Sequence, residues 1–319
     1  MSQIDNTELL NQVRNGDRQA LAKAITVIEN TGIPFEIAES AGAQVLGITG
    51  APGVGKSTTV DALIKLLRER NFSVAVLAVD PSSPISGGAL LGDRIRLTDH
   101  FTDSKVFIRS LATRGHLGGL SASTKAVLKL TQSAQFDFII VETVGVGQSE
   151  VEVHGMTDFF LLLMLAGAGD QLQGIKRGIM ELTDALVITK ADGENKTRAD
   201  HAKAEYGSAL HLFPEREDGW VPQVFSVSSI ENQGLNEVWK SIQRFDVWQT
   251  ERGLKCKKRE SQRLALFQKQ AHDFLLNYFL HDEQVRSKFE QIKQEVQLGL
   301  KSPMEAVFEW MEDIKKKEI

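Results

Sequence analysis

Two spacings of apolar residues divide the chain into three parts. Near the start, apolar positions follow the helical repeat, as over residues 9–13, and Asp17 stands where it can cap a second helix. Near the end the helical repeat returns, as over residues 264–278, and Ser302 with Pro303 is typical of the cap and first residue of a last helix. Both ends of the chain are therefore predicted to be helical.

Between these ends, short apolar runs alternate with longer amphipathic segments. Runs that are apolar on both faces and separated by helices are typical of a mainly parallel sheet covered on both sides. The pattern predicts an α/β fold with a helical extension over residues 1–43, a sheet domain over 44–246 and a helical arm over 247–319. The predicted strands are Val45–Thr49, Val74–Val79, Val106–Arg109, Phe138–Val141, Phe159–Leu165, Ala185–Thr189 and Gln223–Val227.

Charge and cysteine content narrow the class of protein. The chain has 319 residues and a formal net charge of −5 at pH 7, which gives no support for a nucleic-acid or anionic-membrane partner. Cys256 is its one cysteine, and Met1–Glu8 lacks the apolar core of a signal peptide. The longest apolar run, Phe159–Ala168, is too short to span a bilayer. We expect a cytoplasmic protein with no nucleic-acid or membrane partner.

A phosphate-binding loop follows the first predicted strand. Residues 50–57 read Gly-Ala-Pro-Gly-Val-Gly-Lys-Ser, which satisfies G-x-x-x-x-G-K-[ST] in full, and an amphipathic segment follows. The glycines let backbone N–H groups turn toward phosphate oxygens, Lys56 reaches the β- and γ-phosphates, and the Ser57 hydroxyl is placed to bind Mg²⁺. The predicted nucleotide-binding residues here are Gly50, Ala51, Pro52, Gly53, Val54, Gly55, Lys56, Ser57 and Thr58.

Three acidic residues are candidates for the metal and the attacking water. Asp80 follows the second predicted strand, Glu142 follows the fourth, and Asp93 lies in a loop between glycine-rich segments. In open α/β sheets, ligands bind beyond the carboxyl ends of the strands. We therefore predict that all three acids, with Ser57, serve Mg²⁺, although each alone is also explained as a helix cap or a solvated loop residue.

A base-reading motif follows the sixth predicted strand. Residues 189–192 read Thr-Lys-Ala-Asp, and GTPases use [NT]-K-x-D at this place. The Asp192 carboxylate can accept hydrogen bonds from guanine N1–H and its 2-amino group, which adenine does not offer as a pair, while the Lys190 stem covers the base. The motif predicts GTP and GDP as ligands. Backbone amides of a later segment are expected to contact guanine O6, and this segment is Ser228, Ser229 and Ile230.

Several longer segments together resemble one family, the MeaB/ArgK proteins, which include the MMAA proteins and fall within the SIMIBI class of GTPases. The similarity runs from about residue 10 to residue 250. The segments that carry it are residues 50–57, 78–84, 88–93, 114–119, 142–150 and 173–178.

The resemblance implies a slow homodimeric GTPase that assists an adenosylcobalamin-dependent acyl-CoA mutase, chiefly methylmalonyl-CoA mutase. It would gate loading of the cofactor and protect the mutase from inactivation. The segment Gly169–Gly178, with Lys176, matches the family's partner-coupled switch, and the 247–319 arm is expected to mediate dimerisation.

The family pattern does not identify the residue that orients the attacking water. Small signalling GTPases place a water-positioning Gln directly after the glycine of Asp-x-x-Gly, whereas this chain has Val146 there and Gln148 two residues later. Lys56 and Glu142 are expected to act in catalysis, and Asp80, Asp93 or Gln148 can orient the water. Three residues are candidates for an arginine finger, namely Arg94, Arg109 and Arg114.

Two other functions fit the same fold. A P-loop kinase is one, in line with an older family label in arginine and ornithine transport, and a metallochaperone GTPase is the other. Lys190 and Asp192 favour GTP over the ATP expected of most kinases. The seven histidines show no metal-ligand spacing, and one cysteine provides no soft ligand cluster, which disfavours a metallochaperone.

Overall fold

The computed structural model describes residues 6–31, 35, 37, 42–80, 97–112, 122–143, 149–167, 177–281 and 283–315. The chain forms two compact units, Met1–Lys258 and Arg259–Ile319. The three-part division expected from the sequence stays a prediction.

A seven-stranded parallel sheet forms the centre of the first unit, within the described residues. All seven predicted strands are confirmed, as is the α/β fold class, and the third and fourth strands continue beyond their predicted ends. The strands are β1 Gln44–Gly50, β2 Val74–Asp80, β3 Val106–Ala112, β4 Phe138–Thr143, β5 Phe159–Leu165, β6 Ala185–Thr189 and β7 Gln223–Ser226.

Two of the described helices begin at side-chain caps that the sequence predicts. Asp17 Oδ1 accepts hydrogen bonds from the backbone N–H groups of Gln19 and Ala20 at 2.8 and 3.0 Å, which confirms the predicted cap. Ser302 and Glu305 form a reciprocal capping box at the last helix. The helices are α1 Asn6–Arg14, α2 Arg18–Thr31, α3 Lys56–Glu69, α4 Ala122–Gln132, α5 Ser149–His154, α6 Arg177–Leu182, α7 Lys196–Leu210, α8 Leu235–Glu251, α9 Leu254–His281, α10 Glu283–Gln297 and α11 Pro303–Lys315.

The sheet carries helices on both faces. On one face Ile25 of α2 shares a buried apolar cluster with Val45 of β1. On the other, Leu63 of α3 and Phe245 of α8 share a second cluster with Ile48 of β1. Because alternate side chains of a strand point to opposite faces, β1 contributes to both clusters. The N-terminal helices are thus part of the same core as the sheet.

The strand order places a crevice at the carboxyl end of β1. The order is β3-β2-β4-β1-β5-β6-β7, so the strands formed next in sequence lie on one side of β1 and the later ones on the other. Such a reversal opens a crevice beyond the carboxyl ends of the strands, where ligands bind in open α/β sheets. The phosphate loop leaves β1 at this point.

A buried carboxylate and two partly exposed cations lie at the amino ends of the strands. Asp184, fully buried before β6, accepts a hydrogen bond from the Phe160 N–H at 2.8 Å and pairs with the Arg216 guanidinium at 2.9 Å. Lys258 Nζ donates to the Asp158 carbonyl oxygen at 2.9 Å and lies 4.0 Å from the Asp184 carboxylate. Burial raises the pKa of Asp184, and the two cations oppose that rise. These contacts fix the amino ends of β5 and β6.

The second unit contains the rest of α9 together with α10 and α11. The Lys301 ammonium bridges the carboxylates of Glu295 and Glu309, and the rings of Phe289 and Trp310 lie 4.9 Å apart. In the described part of the chain no helix is long and apolar enough to cross a membrane.

Candidate nucleotide-binding site

The phosphate loop turns sharply between β1 and α3, and two glycines make the turn possible. Gly50 approaches β5 so closely that a Cβ atom there would lie 2.5 Å from the Leu163 carbonyl oxygen. Gly55, directly before α3, has φ of 102°, in the left-handed region that favours glycine. The loop therefore ends with the N-terminus of a 14-residue helix, where backbone N–H groups and the helix dipole favour an anion.

Lys56 folds back over this loop. Its Nζ donates hydrogen bonds to the carbonyl oxygens of Gly50 at 2.8 Å and Ala51 at 3.1 Å. The ammonium group therefore lies against the start of the loop, and the sequence predicts that it reaches the β- and γ-phosphates from there.

Ser57 and Glu142 are brought together from α3 and β4. The Ser57 hydroxyl donates to Glu142 Oε1 at 3.1 Å, and both residues are buried. Beside them the Thr143 hydroxyl donates to the hydroxyl of Thr49, at 2.8 Å, which joins the ends of β4 and β1. A hydroxyl and a carboxylate at this distance form an oxygen donor set of the kind that Mg²⁺ prefers.

Thr189 joins the base-reading motif to the phosphate loop. Its hydroxyl oxygen lies 2.5 Å from the Val54 carbonyl oxygen and 3.1 Å from the Met164 carbonyl oxygen. Thr189 is the first residue of the [NT]-K-x-D motif in this chain. In the structure, the Thr189 side chain holds the phosphate loop against the end of β6.

Lys190 lies over the phosphate loop as well. Its backbone has φ of 56°, unusual for a residue with a side chain, and its Cε lies 4.0 Å from where a Cβ of Gly55 would be. Asn195 Nδ2 donates to the Lys190 carbonyl oxygen at 2.7 Å and stabilises this turn. Sequence reasoning missed Asn195, although an Asn three residues after the motif is a common turn residue.

Asp192 is oriented by a serine from the next loop. The Ser228 hydroxyl donates to Asp192 Oδ2 at 2.9 Å and accepts a hydrogen bond from the Glu231 N–H at 3.1 Å. Ser228 is fully buried, whereas Ile230 is largely exposed. The sequence assigned Ser228 a backbone contact with guanine, and the structure adds a side-chain role that spacing alone does not reveal.

Other predicted site residues lie outside the described residues. These are Asp93, Gln148, Arg94 and Arg114, and of Asp80 only the backbone, at the end of β2, is described. Arg109 is described, and its guanidinium donates to Glu29 and Thr26 of α2, so its contacts are those of a strand-to-helix link. Among the described residues no group of three or more His, Cys, Asp or Glu is placed to hold a metal ion.

Known proteins are similar to this chain over nearly its whole length. A family model described as methylmalonyl Co-A mutase-associated GTPase MeaB matches residues 21–284. The chain is 40% identical over 306 residues to the GTPase ArgK of Escherichia coli (strain K12), over 93% of this chain and 92% of that protein.

Two further proteins are similar to the chain. It is 37% identical over 308 residues to the methylmalonic aciduria type A homolog, mitochondrial, of Mus musculus, which covers 90% of this chain and 74% of the mouse protein. A crystal structure of LAO/AO transport system kinase matches with a TM-score of 0.76 and 32% identity, over 99% of both chains.

Replacing Asp192 tests the base-reading assignment. Asp192→Asn removes the charged acceptor for guanine N1–H and the 2-amino group, each such bond being worth about 1.5–3 kcal/mol, so GTP affinity should fall at least about tenfold. Xanthosine triphosphate carries a carbonyl in place of the 2-amino group. It should bind Asp192→Asn more tightly than it binds the wild type. Glu194→Gln, an exposed charge removal in the same loop, is the control. Equal GTP affinity in Asp192→Asn and the wild type, measured by calorimetry, would show that Asp192 does not read the base.

Proposed function

Because the chain belongs to the MeaB family of methylmalonyl-CoA mutase-associated GTPases, and is therefore a GTPase that binds guanine nucleotides, we propose that it assists an adenosylcobalamin-dependent acyl-CoA mutase. The partner is of the methylmalonyl-CoA mutase type. GTP binding and slow hydrolysis gate loading of the cofactor and protect the mutase. A cytoplasmic location and the absence of nucleic-acid and membrane partners stay predictions.

The GTP-dependent part of this proposal rests on one observation, that the predicted phosphate and base residues lie at the carboxyl ends of the strands. Lys56, the Ser57–Glu142 pair and the Asp192–Ser228 pair come from separate parts of the chain and meet beyond β1, β4 and β6. The mutase as partner is supported by the description of the family and by the name of the mouse relative. The Asp192–Ser228 pair favours guanine as the base, which supports a GTPase over a P-loop kinase.

In this site, positively charged and N–H groups bind the phosphates, and a carboxylate binds the base. Lys56 supplies a positive charge to the β- and γ-phosphates, and the backbone N–H groups at the start of α3 donate to phosphate oxygens. Asp192 accepts from the base, and Ser228 keeps its carboxylate in place. The residue that orients the attacking water stays open among Asp80, Asp93 and Gln148.

Mg²⁺ fits the oxygen donors that this chain offers. Ser57 and Glu142 would hold it, with Asp80 and Asp93 as further predicted ligands. When bound, Mg²⁺ neutralises charge on the β- and γ-phosphates. Ser57 lies at the start of α3 and Glu142 at the end of β4, so the metal site would join the helix that follows the phosphate loop to a neighbouring strand.

Removing the Ser57 hydroxyl tests the metal assignment. Ser57→Ala should raise the Mg²⁺ concentration needed for half-maximal GTP hydrolysis at least about tenfold, because one oxygen ligand is lost. Ser57→Thr keeps the hydroxyl and should remain close to the wild type. The measurement is the hydrolysis rate over a Mg²⁺ titration. An unchanged Mg²⁺ requirement in Ser57→Ala would remove Ser57 from the metal site.

The proposed partner is tested by its effect on hydrolysis. If the mutase binds one nucleotide state better than the other, it must change nucleotide affinity by the same factor, typically about 5- to 150-fold. A purified methylmalonyl-CoA mutase should therefore shift the affinity for GTP relative to GDP. We also expect it to raise the hydrolysis rate. Transfer of phosphate to arginine or ornithine, with no response to the mutase, would favour the kinase instead.

The coupling residue proposed from the sequence is Lys176, which lies outside the described residues. Lys176→Ala should keep basal hydrolysis and lose most of the stimulation by the mutase, while Lys203→Ala, an exposed change on α7, should keep both. The readout is the hydrolysis rate against mutase concentration. Coinciding curves for Lys176→Ala and the wild type would exclude Lys176 as a coupling residue.

Homodimerisation through the C-terminal helices is supported by exposed apolar side chains of the second unit. On α11, Met304, Val307, Phe308 and Met311 follow the spacing i, i+3, i+4, i+7, and all four are exposed. Such a stripe is typical of a helix that packs against another surface. We propose that a second copy of the chain covers it.

Phe308→Asp should convert a dimer to a monomer, because it puts a charge into an apolar contact. Glu312→Ala, an exposed polar change on the same helix, should remain dimeric. Light scattering after size exclusion gives the mass. A wild-type monomer, or a Phe308→Asp dimer of unchanged affinity, would exclude this stripe as the dimer contact.

A further inference from the structure

One side-chain hydrogen bond links the helix behind the phosphate loop to the loop after β7. Thr59, in the first turn of α3, is buried, and its hydroxyl donates to the Gly55 carbonyl oxygen at 3.0 Å. The same oxygen lies 3.3 Å from Ser229 Oγ. A hydroxyl carries one hydrogen, so with its own hydrogen on Gly55, Thr59 accepts from Ser229. The orientation of the Ser229 hydroxyl is thereby fixed.

The loop after β7 is held from two sides. Ser228 is fixed on Asp192, and its backbone pairs with Gln233 in both directions. Ser229, the next residue, is fixed on Thr59, which belongs to the first turn behind the phosphates. The two side-chain contacts therefore hold the loop on either side of the Ser229 backbone N–H group.

A second hydrogen bond attaches the other base-reading segment to the phosphate loop. The Thr189 hydroxyl lies on the Val54 carbonyl oxygen, so the end of β6 is also fixed to the phosphate loop. The two base-reading segments are thus each attached to the phosphate-binding turn by a hydroxyl, Thr189 on one side and Thr59 on the other.

We propose that Thr59 is a positioning residue for recognition of guanine O6. It acts through Ser229, whose loop carries the backbone amides that meet O6, and it does not touch the nucleotide itself. The inference rests on the guanine site proposed above and adds to it a residue that belongs to no GTPase motif in the sequence. Loss of the Thr59 hydroxyl leaves the Ser229 hydroxyl without the acceptor that orients it, so the amides lose their fixed direction.

The test compares nucleotides that differ at one position of the base. 6-Thio-GTP replaces O6 by sulfur, a weaker acceptor, and keeps N1–H and the 2-amino group. ITP keeps O6 and lacks the 2-amino group. The ratio of Kd for 6-thio-GTP to that for GTP therefore reports on the Ser229 loop, and the ratio for ITP to GTP reports on Asp192.

In Thr59→Val, which keeps the shape of the side chain, we expect GTP affinity to fall about 3- to 10-fold, as for loss of one hydrogen bond. The 6-thio-GTP to GTP ratio should fall toward one, while the ITP to GTP ratio stays at the wild-type value. Thr59→Ser should restore both, and Ser229→Ala, which removes the same bond from its other end, should reproduce Thr59→Val.

Thr131→Val is the matched control. Thr131 is a fully buried threonine of α4 whose hydroxyl also donates one turn back, to the Val127 carbonyl oxygen at 2.8 Å. Its replacement should lower thermal stability to a similar degree and leave both Kd ratios unchanged. A purely structural role of Thr59 would give the same result as this control.

The outcomes separate the inference from the function on which it rests. If the wild type prefers GTP to ITP and Thr59→Val keeps the wild-type 6-thio-GTP ratio, Thr59 does not position the loop, and the guanine site stands. If the wild type itself binds GTP and ITP equally, both the guanine site and the role of Thr59 are wrong.

Discussion

Gly50 brings β1 so close to β5 that a Cβ atom would meet the Leu163 carbonyl oxygen at 2.5 Å. This approach lets the chain leave β1 in a tight turn and start α3 within a few residues, so Lys56 and Ser57 begin the helix directly at the crevice. A side chain at Gly50 would push the two central strands apart. The position of the phosphate loop therefore depends on this close contact.

Hydroxyl groups then attach the neighbouring strands to that turn. Thr143 reaches Thr49 and Ser57 reaches Glu142, so β4 is attached to β1 and to α3. Thr189 reaches Val54, so β6 is attached to the phosphate loop. These bonds are short-range and directional, and each joins two elements that are distant in sequence. At the amino ends of the strands, the pairs of Asp184 hold β5 and β6 in place.

The sequence predicted the strands well because buried parallel strands are apolar on both faces, and β5 and β6 are near-continuous apolar runs. The caps at Asp17 and Ser302 were predictable because a cap is a local interaction. The α2 helix was predictable as an amphipathic segment, but periodicity does not say which surface its apolar face covers, and the structure places it on the sheet.

Contacts between distant residues could not be predicted in this way. Thr59 and Ser229 are 170 positions apart, and Thr189 and Val54 are 135 apart. Motifs record which residue types meet the nucleotide, whereas these partners meet one another, and their spacing in sequence carries no signal. Knowledge of the strand order is needed before such pairs can be seen.

The measurement that tests the nucleotide site most directly is a crystal structure of the chain with Mg²⁺ and a non-hydrolysable GTP analogue. We predict that Lys56 Nζ exchanges the carbonyl oxygens of Gly50 and Ala51 for phosphate oxygens, and that Asp192 contacts the guanine base while it keeps its bond to Ser228. A nucleotide bound elsewhere, or phosphates in the loop with the base away from Asp192, would contradict the site described for this chain.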